Sequence, residues 1–379
     1  MTPPRRLRVL LVANVLTHYR LPLYEQLQEL VDLHVVFYSD GGEWYWKRTE
    51  TPSDRSLFHS THLKGMWLGR TRYTPGLIRE VLRSDADVII KDPNGKFALP
   101  VTFLLAKLRR RPFVLWASLW QHPTRGLHRF TRPAMRYLYR HSDWVVTYGR
   151  HVSRFVIAEG ARPARVSESV QAVAPVTSSP PTADRWARPA RLLFVGRLEP
   201  WKGIDVLIDA LALVERGLFV LDIAGDGSQR VELEKRVAKL GLGDAVTFLG
   251  HVPNRELLQT YQRAAALIVP SVNTPDFCEP WSLVVNEGMQ AGALVVATDV
   301  VGAVADGLVT DGVTGFVCHG TGAEPLARVI REMLATDPVE LATIAAAGQR
   351  AVKAYSHERA AAAFAEAALN VSRERNELT

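Results

Sequence analysis

Two glutamates, Glu279 and Glu287, stand eight positions apart in the stretch CEPWSLVVNEGMQAG at 278–292. If a helix begins near Ser282, Glu279 lies on the loop before it and Glu287 more than a turn inside. Helical rise then separates them by roughly 10–12 Å along the axis. That exceeds the ~5–9.5 Å of a glycosidase acid and base, so joint hydrolytic chemistry is not the reading. Ionised carboxylates only accept hydrogen bonds, which suits them to holding vicinal hydroxyls. Between the two, the unpaired N–H groups of Trp281, Ser282, Leu283 and Val284 face toward an anion. Hydroxyl acceptor, phosphate seat, hydroxyl acceptor is the layout of hexose, diphosphate and ribose. A helix dipole that favours acids at its start would account for Glu279, but not for Glu287 on an apolar helix.

Other residues of the second half fit the same ligand. RLLFVGRLEPWKGIDVLIDAL places Arg197 just past a buried strand and Lys202 at the start of the next helix. Two cations above a strand end, beside a helix N-terminus, form a pyrophosphate seat; alone they would read as a surface salt-bridge pair. IAGDGSQ holds Gly225 and Gly227 after a strand, and FLGHVP carries His251 and Val252 after another. Such strand ends offer backbone partners to a nucleobase, although a lone GxG also serves tight turns that bind nothing.

The elements behind these residues repeat along the chain. RVLLVANV, DVIIKD and RPFVLWAS in the first half, and RLLFVGRL, LFVLDIAG, ALIVPS and ALVVATD in the second, are short apolar runs separated by helical patterns. That alternation predicts parallel sheets covered on both faces, an α/β class with two doubly wound domains. Their ligand sites then lie at the strand carboxyl ends, on facing walls of a cleft. A length of 379 residues with 47% apolar content suits two cores. The Pro/Ser/Thr-rich stretch at 174–190 reads as the linker, dividing the chain into domains 1–175 and 188–357. Cys278 and Cys318 are too few and too far apart for a disulfide framework or a zinc site. The apolar N-terminal run breaks at Asn14 and reads as a first strand, not an export signal. ALPVTFLLA at 98–106 is about half the length a membrane span needs. The expected place is therefore the cytoplasm.

In combination, VGRLEPWKG, IAGDG, FLGHVP, LIVPS, EPWSLVVNEGMQAG and VGAVADGLVTDGVTGFV resemble the retaining glycosyltransferases of family 4, which have the GT-B fold of two Rossmann-like domains. The pieces cover nearly all of 191–317, in the family's order. The resemblance implies that Arg197 and Lys202 balance the diphosphate, that Glu287 holds the ribose, and that Glu279 touches the donor sugar. It also implies retention of configuration, no metal, no further cofactor, and a C-terminal helix, about 358–379, crossing back onto the first domain. Asp85-Ala86-Asp87, the one DxD, reads as a helix-ending turn. Departures are Ser282 where the family usually has glycine, and Gly288 and Gln290 in place of alanines.

The first half resembles a subset with HYR-x-P-x-Y after the first strand, instead of the commoner Gly-Gly pair. Asn14, His18 and Arg20 are expected to face an acceptor or a phosphate, with His18 equally placed to cap the following helix. His122, on the loop WQHP, stands near where the family carries a histidine beside the donor sugar. Residues 1–175 carry 27 Lys/Arg against 14 Asp/Glu, whereas 176–379 carry 19 against 25. Arg125 to Arg140 contributes five arginines and no acid. It reads as a helix with a solvated basic face, as a peripheral membrane patch serving a lipid-linked acceptor, or, without any motif to support it, as a nucleic-acid patch. The tryptophans and tyrosine of WYW at 44–46 suit sugar stacking or loop packing. The function expected is transfer of a hexose-type sugar from a UDP- or GDP-linked donor to a glycan, glycolipid or small-molecule hydroxyl. The rivals are an NAD-dependent oxidoreductase, for which GDGSQR lacks the last glycine of GxGxxG, and a non-catalytic sugar- or nucleotide-binding protein.

Overall fold

The computed structural model describes residues 5–39, 58–69, 71–125 and 130–377. The WYW stretch and residues 126–129 of the basic segment lie outside them. The chain forms two compact units: 1–120 with 126–174 and 356–379, and 121–125 with 175–355.

The first unit runs β1 (Arg8–Ala13), α1 (Leu21–Leu30), β2 (Asp32–Phe37), β3 (His59–His62), β4 (Met66–Leu68), β5 (Thr71–Tyr73), α2 (Gly76–Arg83), β6 (Val88–Lys91), α3 (Ala98–Leu108), β7 (Phe113–Ala117), α4 (Arg132–His141), β8 (Trp144–Thr147), α5 (Arg150–Ala158) and β9 (Val166–Glu168). Seven strands form one parallel sheet ordered β3-β2-β1-β6-β7-β8-β9. β6 and β7 are apolar along nearly their whole length because helices cover both faces. β3, with the polar sequence HSTH, is the edge strand and is half-exposed. Asp87 of the DxD accepts from the Arg8 N–H at 3.0 Å and from its guanidinium, so that acid fastens β1.

The second unit runs β10 (Ala190–Val195), α6 (Ile204–Ala212), β11 (Phe219–Ala224), α7 (Arg230–Lys239), β12 (Val246–Gly250), α8 (Asn254–Arg263), β13 (Ala266–Val269), α9 (Leu283–Gln290), β14 (Leu294–Thr298), α10 (Gly302–Ala305), β15 (Phe316–Cys318), α11 (Ala323–Ala335) and α12 (Pro338–Ala351). Its parallel sheet is ordered β12-β11-β10-β13-β14-β15. The order of strand addition reverses between β10 and β13, so the loops after these two strands flank the crevice where such sheets take ligands. Leu192, Leu221, Ile268, Val296 and Met333 lie in one fully buried core.

The linker stretch is held against the second unit: the Val176 N–H donates to Gln290 Oε1 at 3.2 Å. Trp186 is buried, and the Arg185 guanidinium donates to the carbonyls of Gln262 at 2.7 Å and of Gly292. α13 (His357–Glu377) leaves the second unit and packs on the first, against α1 and with Phe364 on Trp116 at 4.8 Å between ring centroids. No helix among the described residues is long and apolar enough to cross a membrane.

Candidate functional site

The loop after β10 is shaped by close backbone crossings. Gly225 has φ +144, and a Cβ there would sit 1.8 Å from the Gly196 carbonyl oxygen, so only glycine lets the two strand-end loops touch. Gly203, at φ +66, likewise passes against the Pro270 carbonyl, and a Cβ there would lie 2.0 Å from it. These crossings bring the Arg197–Gly203 loop beside the segment that follows β13.

There Lys202 Nζ donates to Glu279 Oε2 at 2.5 Å, and Ser271 Oγ donates to the same oxygen at 3.4 Å. Glu279 is only 7% exposed. The family resemblance assigns the lysine to the diphosphate and the glutamate to the donor sugar. The structure brings the two side chains together in one ion pair. A buried carboxylate needs a partner cation, and Lys202 supplies it. Arg197 is exposed, and its guanidinium lies 5.3 Å from the Trp201 ring centroid.

α9 begins at Leu283, with Ser282 as N-cap. The N–H groups of Ser282, Leu283 and Val284 make no hydrogen bond to another described residue. They are the orphan donors of a helix start and carry its positive dipole end. Ser282 sits at φ +78, in the left-handed region, and its buried hydroxyl has no partner among the described residues. The Trp281 indole N–H donates to Asn286 Oδ1 at 2.7 Å, and its ring lies 5.3 Å from that of Tyr355.

Glu287 lies on α9, where its Oε2 accepts from the Tyr261 hydroxyl at 2.6 Å. Burial raises the carboxyl pKa above its ordinary value, and the Tyr261 hydrogen bond offsets this only in part. Tyr261, on α8, escaped the sequence reading because nothing in a helical tyrosine marks which carboxylate it will meet. Gly225 and Gly227 follow β11, while His251 (exposed) and Val252 (half-exposed) follow β12. His122 belongs to the 121–125 segment of this unit, although its place in the sequence suggested the first domain. Thr124 N–H donates to the Pro275 carbonyl at 2.8 Å and holds that segment four residues before Glu279.

Asn14, His18 and Arg20 lie in the first unit, at the end of β1. The Asn14 N–H donates to Asp92 Oδ2 at 3.1 Å, and Asp92 is in turn paired with the fully buried Lys91. Arg20 donates to the Tyr148 hydroxyl at 2.6 Å and stacks 4.5 Å from the Trp116 ring centroid. His18 is exposed, with its pKa lowered by partial burial. It does not cap α1: the N-cap is Arg20, without a side-chain cap bond. The Lys91–Asp92 pair was not anticipated, because adjacent residues of opposite charge normally read as solvated.

Residues 184–350 match the family model for glycosyl transferases group 1. Among curated relatives, the chain is 34% identical over 185 residues to a D-inositol 3-phosphate glycosyltransferase of Streptomyces avermitilis, covering 46% of this chain and 38% of that one. It is 33% identical over 187 residues to a glycogen synthase of Mycobacterium tuberculosis, covering 49% and 44%. The chain thus spans less than half the length of these two relatives. Anabaena HepE, solved with UDP and glucose, superposes with a TM-score of 0.71 at 20% identity, covering 98% of this chain and 99% of HepE. Likeness at that identity speaks for the fold alone. The stretch 184–350 therefore matches the group 1 glycosyl transferases, and the chain has the GT-B fold of two Rossmann-like domains.

Proposed function

We propose that this protein is a retaining glycosyltransferase that moves a hexose-type sugar from a UDP- or GDP-linked donor to a hydroxyl of a glycan, glycolipid or small molecule. The observation carrying this reading is the start of α9, where orphan N–H groups of Ser282, Leu283 and Val284 follow closely on the Lys202–Glu279 pair. The names of the relatives, a D-inositol 3-phosphate glycosyltransferase and a glycogen synthase, and the UDP-glucose bound by HepE support the same class.

In this mechanism the bond between the anomeric carbon and the β-phosphate oxygen breaks, and its electron pair leaves with the nucleoside diphosphate. The acceptor oxygen bonds to the anomeric carbon from the same face and loses its proton to the departing phosphate oxygen. Arg197, Lys202 and the α9 N–H groups meet the charge that grows on the diphosphate, a preorganised role that otherwise falls to a metal. Glu279 holds the Lys202 ammonium in place and contacts the donor sugar. Glu287 accepts from ribose hydroxyls, with Tyr261 fixing its orientation. The loops of Gly225, Gly227, His251 and Val252 flank the base, and His122 approaches the donor sugar. Asn14, His18 and Arg20 receive the acceptor or a phosphate. In this proposal the protein works in the cytoplasm, where nucleotide sugars are made, and uses no further cofactor.

The test is release of UDP or GDP from nucleotide sugars in water, screened first by thermal stabilisation. Arg197→Ala and Lys202→Ala should each remove about 2–5 kcal/mol of transition-state stabilisation. Unchanged turnover in both would remove the diphosphate assignment.

A further inference from the structure

The two helical layers on the first unit's sheet differ sharply in charge. β1–α1–β2 runs toward one sheet edge, whereas β6–α3–β7, β7–α4–β8 and β8–α5–β9 run toward the other. Right-handed crossovers therefore put α1 on one face and α3, α4 and α5 on the opposite face, together with α2, which leads into β6 in the same direction. Ring contacts agree: Phe113 meets Phe103 of α3 at 5.2 Å, while Trp116, of opposite pleat parity, meets Phe364 of α13. Helices α2 to α5 carry eight Lys/Arg and a single acid, Glu80, while two of those cations meet acids just beyond the helices, Lys107 with Asp143 at 2.8 Å and Arg132 with Glu159 at 3.0 Å. The layer of α1 and α13 carries three Arg and six Glu. One sheet thus has a strongly basic layer and a mildly acidic one, so the basic layer is not a general preference of the chain.

The basic layer also turns apolar side chains outward. Leu104 and Leu108, a turn apart on α3, are 63% and 74% exposed. Ile78 and Leu82 repeat that spacing on α2, beside the exposed Arg79 and Arg83. The helices adjoin: Arg109 Nη1 donates to the Val81 carbonyl at 2.8 Å, and Phe103 meets Tyr137 of α4 at 6.1 Å. α3 is apolar on its inner side as well, through Leu99, Phe103 and Ala106. A helix apolar all round is normally buried. Outward leucines on a layer with a clear excess of arginine over acid match an interface between headgroups and acyl chains.

We infer that the outer face of α2, α3 and α4 docks on an anionic lipid bilayer, its leucines entering the headgroup boundary and its arginines meeting lipid phosphates. A second copy of the chain suits this face poorly, since a two-fold contact would press arginine on arginine. The docking does not depend on the transferase reading.

The test uses the full chain in flotation with vesicles of mixed phosphatidylglycerol and phosphatidylcholine, and with vesicles of phosphatidylcholine alone. Binding is expected to the first, weakening as salt is raised, and not to the second. The double variant Leu104→Ser/Leu108→Ser should bind at least 10-fold more weakly, with an unchanged unfolding midpoint and unchanged nucleotide-sugar hydrolysis. Ile78→Ser/Leu82→Ser should do the same on the neighbouring helix, should the first variant fold poorly. Arg79→Gln/Arg83→Gln should weaken binding as well. Failure of the wild-type chain to float with anionic vesicles overturns the inference. So does full binding by both leucine/isoleucine variants with loss only in the arginine variant, the pattern of a nucleic-acid surface. A dimer in light scattering that Leu104→Ser/Leu108→Ser dissociates would assign the face to self-association instead.

Discussion

Ser282 combines two local costs: a left-handed backbone at φ +78 and a buried hydroxyl without a partner among the described residues. Glycine removes both, so Ser282→Gly should raise the stability of the second unit by about 1–2 kcal/mol, read as a higher urea midpoint. A lower midpoint would show that the hydroxyl contributes packing worth more than the strain. Glu287 gives a pH-dependent counterpart. Its folded pKa is raised by burial, so the carboxylate destabilises the fold once ionised. The stability tied to its protonated form is present below the ordinary carboxylate pKa and lost as pH rises through the raised value. Glu287→Gln keeps an acceptor for the Tyr261 hydroxyl and removes the charge. It should unfold at a higher temperature than the wild type at pH 7, with the difference shrinking toward pH 4. An equal gain at both pH values would point away from ionisation as the cause.

At the level of strands and loops, the Gly196–Gly225 crossing joins the ends of β10 and β11. Gly225→Ala places a methyl where the Gly196 carbonyl oxygen lies and forces alanine to a left-handed φ. A loss of roughly 2–4 kcal/mol is expected, measured by thermal unfolding, with weaker stabilisation by UDP. How far such features could be read in advance depended on their range. β6 and β7 were legible because burial on both faces demands VIIK and FVLWA without interruption. β3 was not, since an edge strand that reads HSTH has no apolar alternation. Lys202 and Glu279 were each legible by type, but their contact spans 77 positions. It requires β10 and β13 to be neighbours, which chain order conceals. The attachment of Gln121 and Thr124 to the turn at Thr274 and Pro275 also spans some 150 positions and was hidden likewise.

Across the whole molecule, α13 makes the first unit discontinuous in sequence. Phe364 on Trp116 is its aromatic anchor, so Phe364→Ala should cost about 3–5 kcal/mol. Calorimetry should show the first unit's transition moving down while the second unit's stays in place, and equal displacement of both would mean that the two melt as one. The order of manufacture follows from the same helix. As the ribosome delivers the nascent chain, residues 175–355 can close around their own core as soon as they emerge. Trp116 and the strands around it must wait, covered on that side by α1 alone, until residues 356–377 have been translated. During that interval the half-finished unit is the part most exposed to chaperones and proteases.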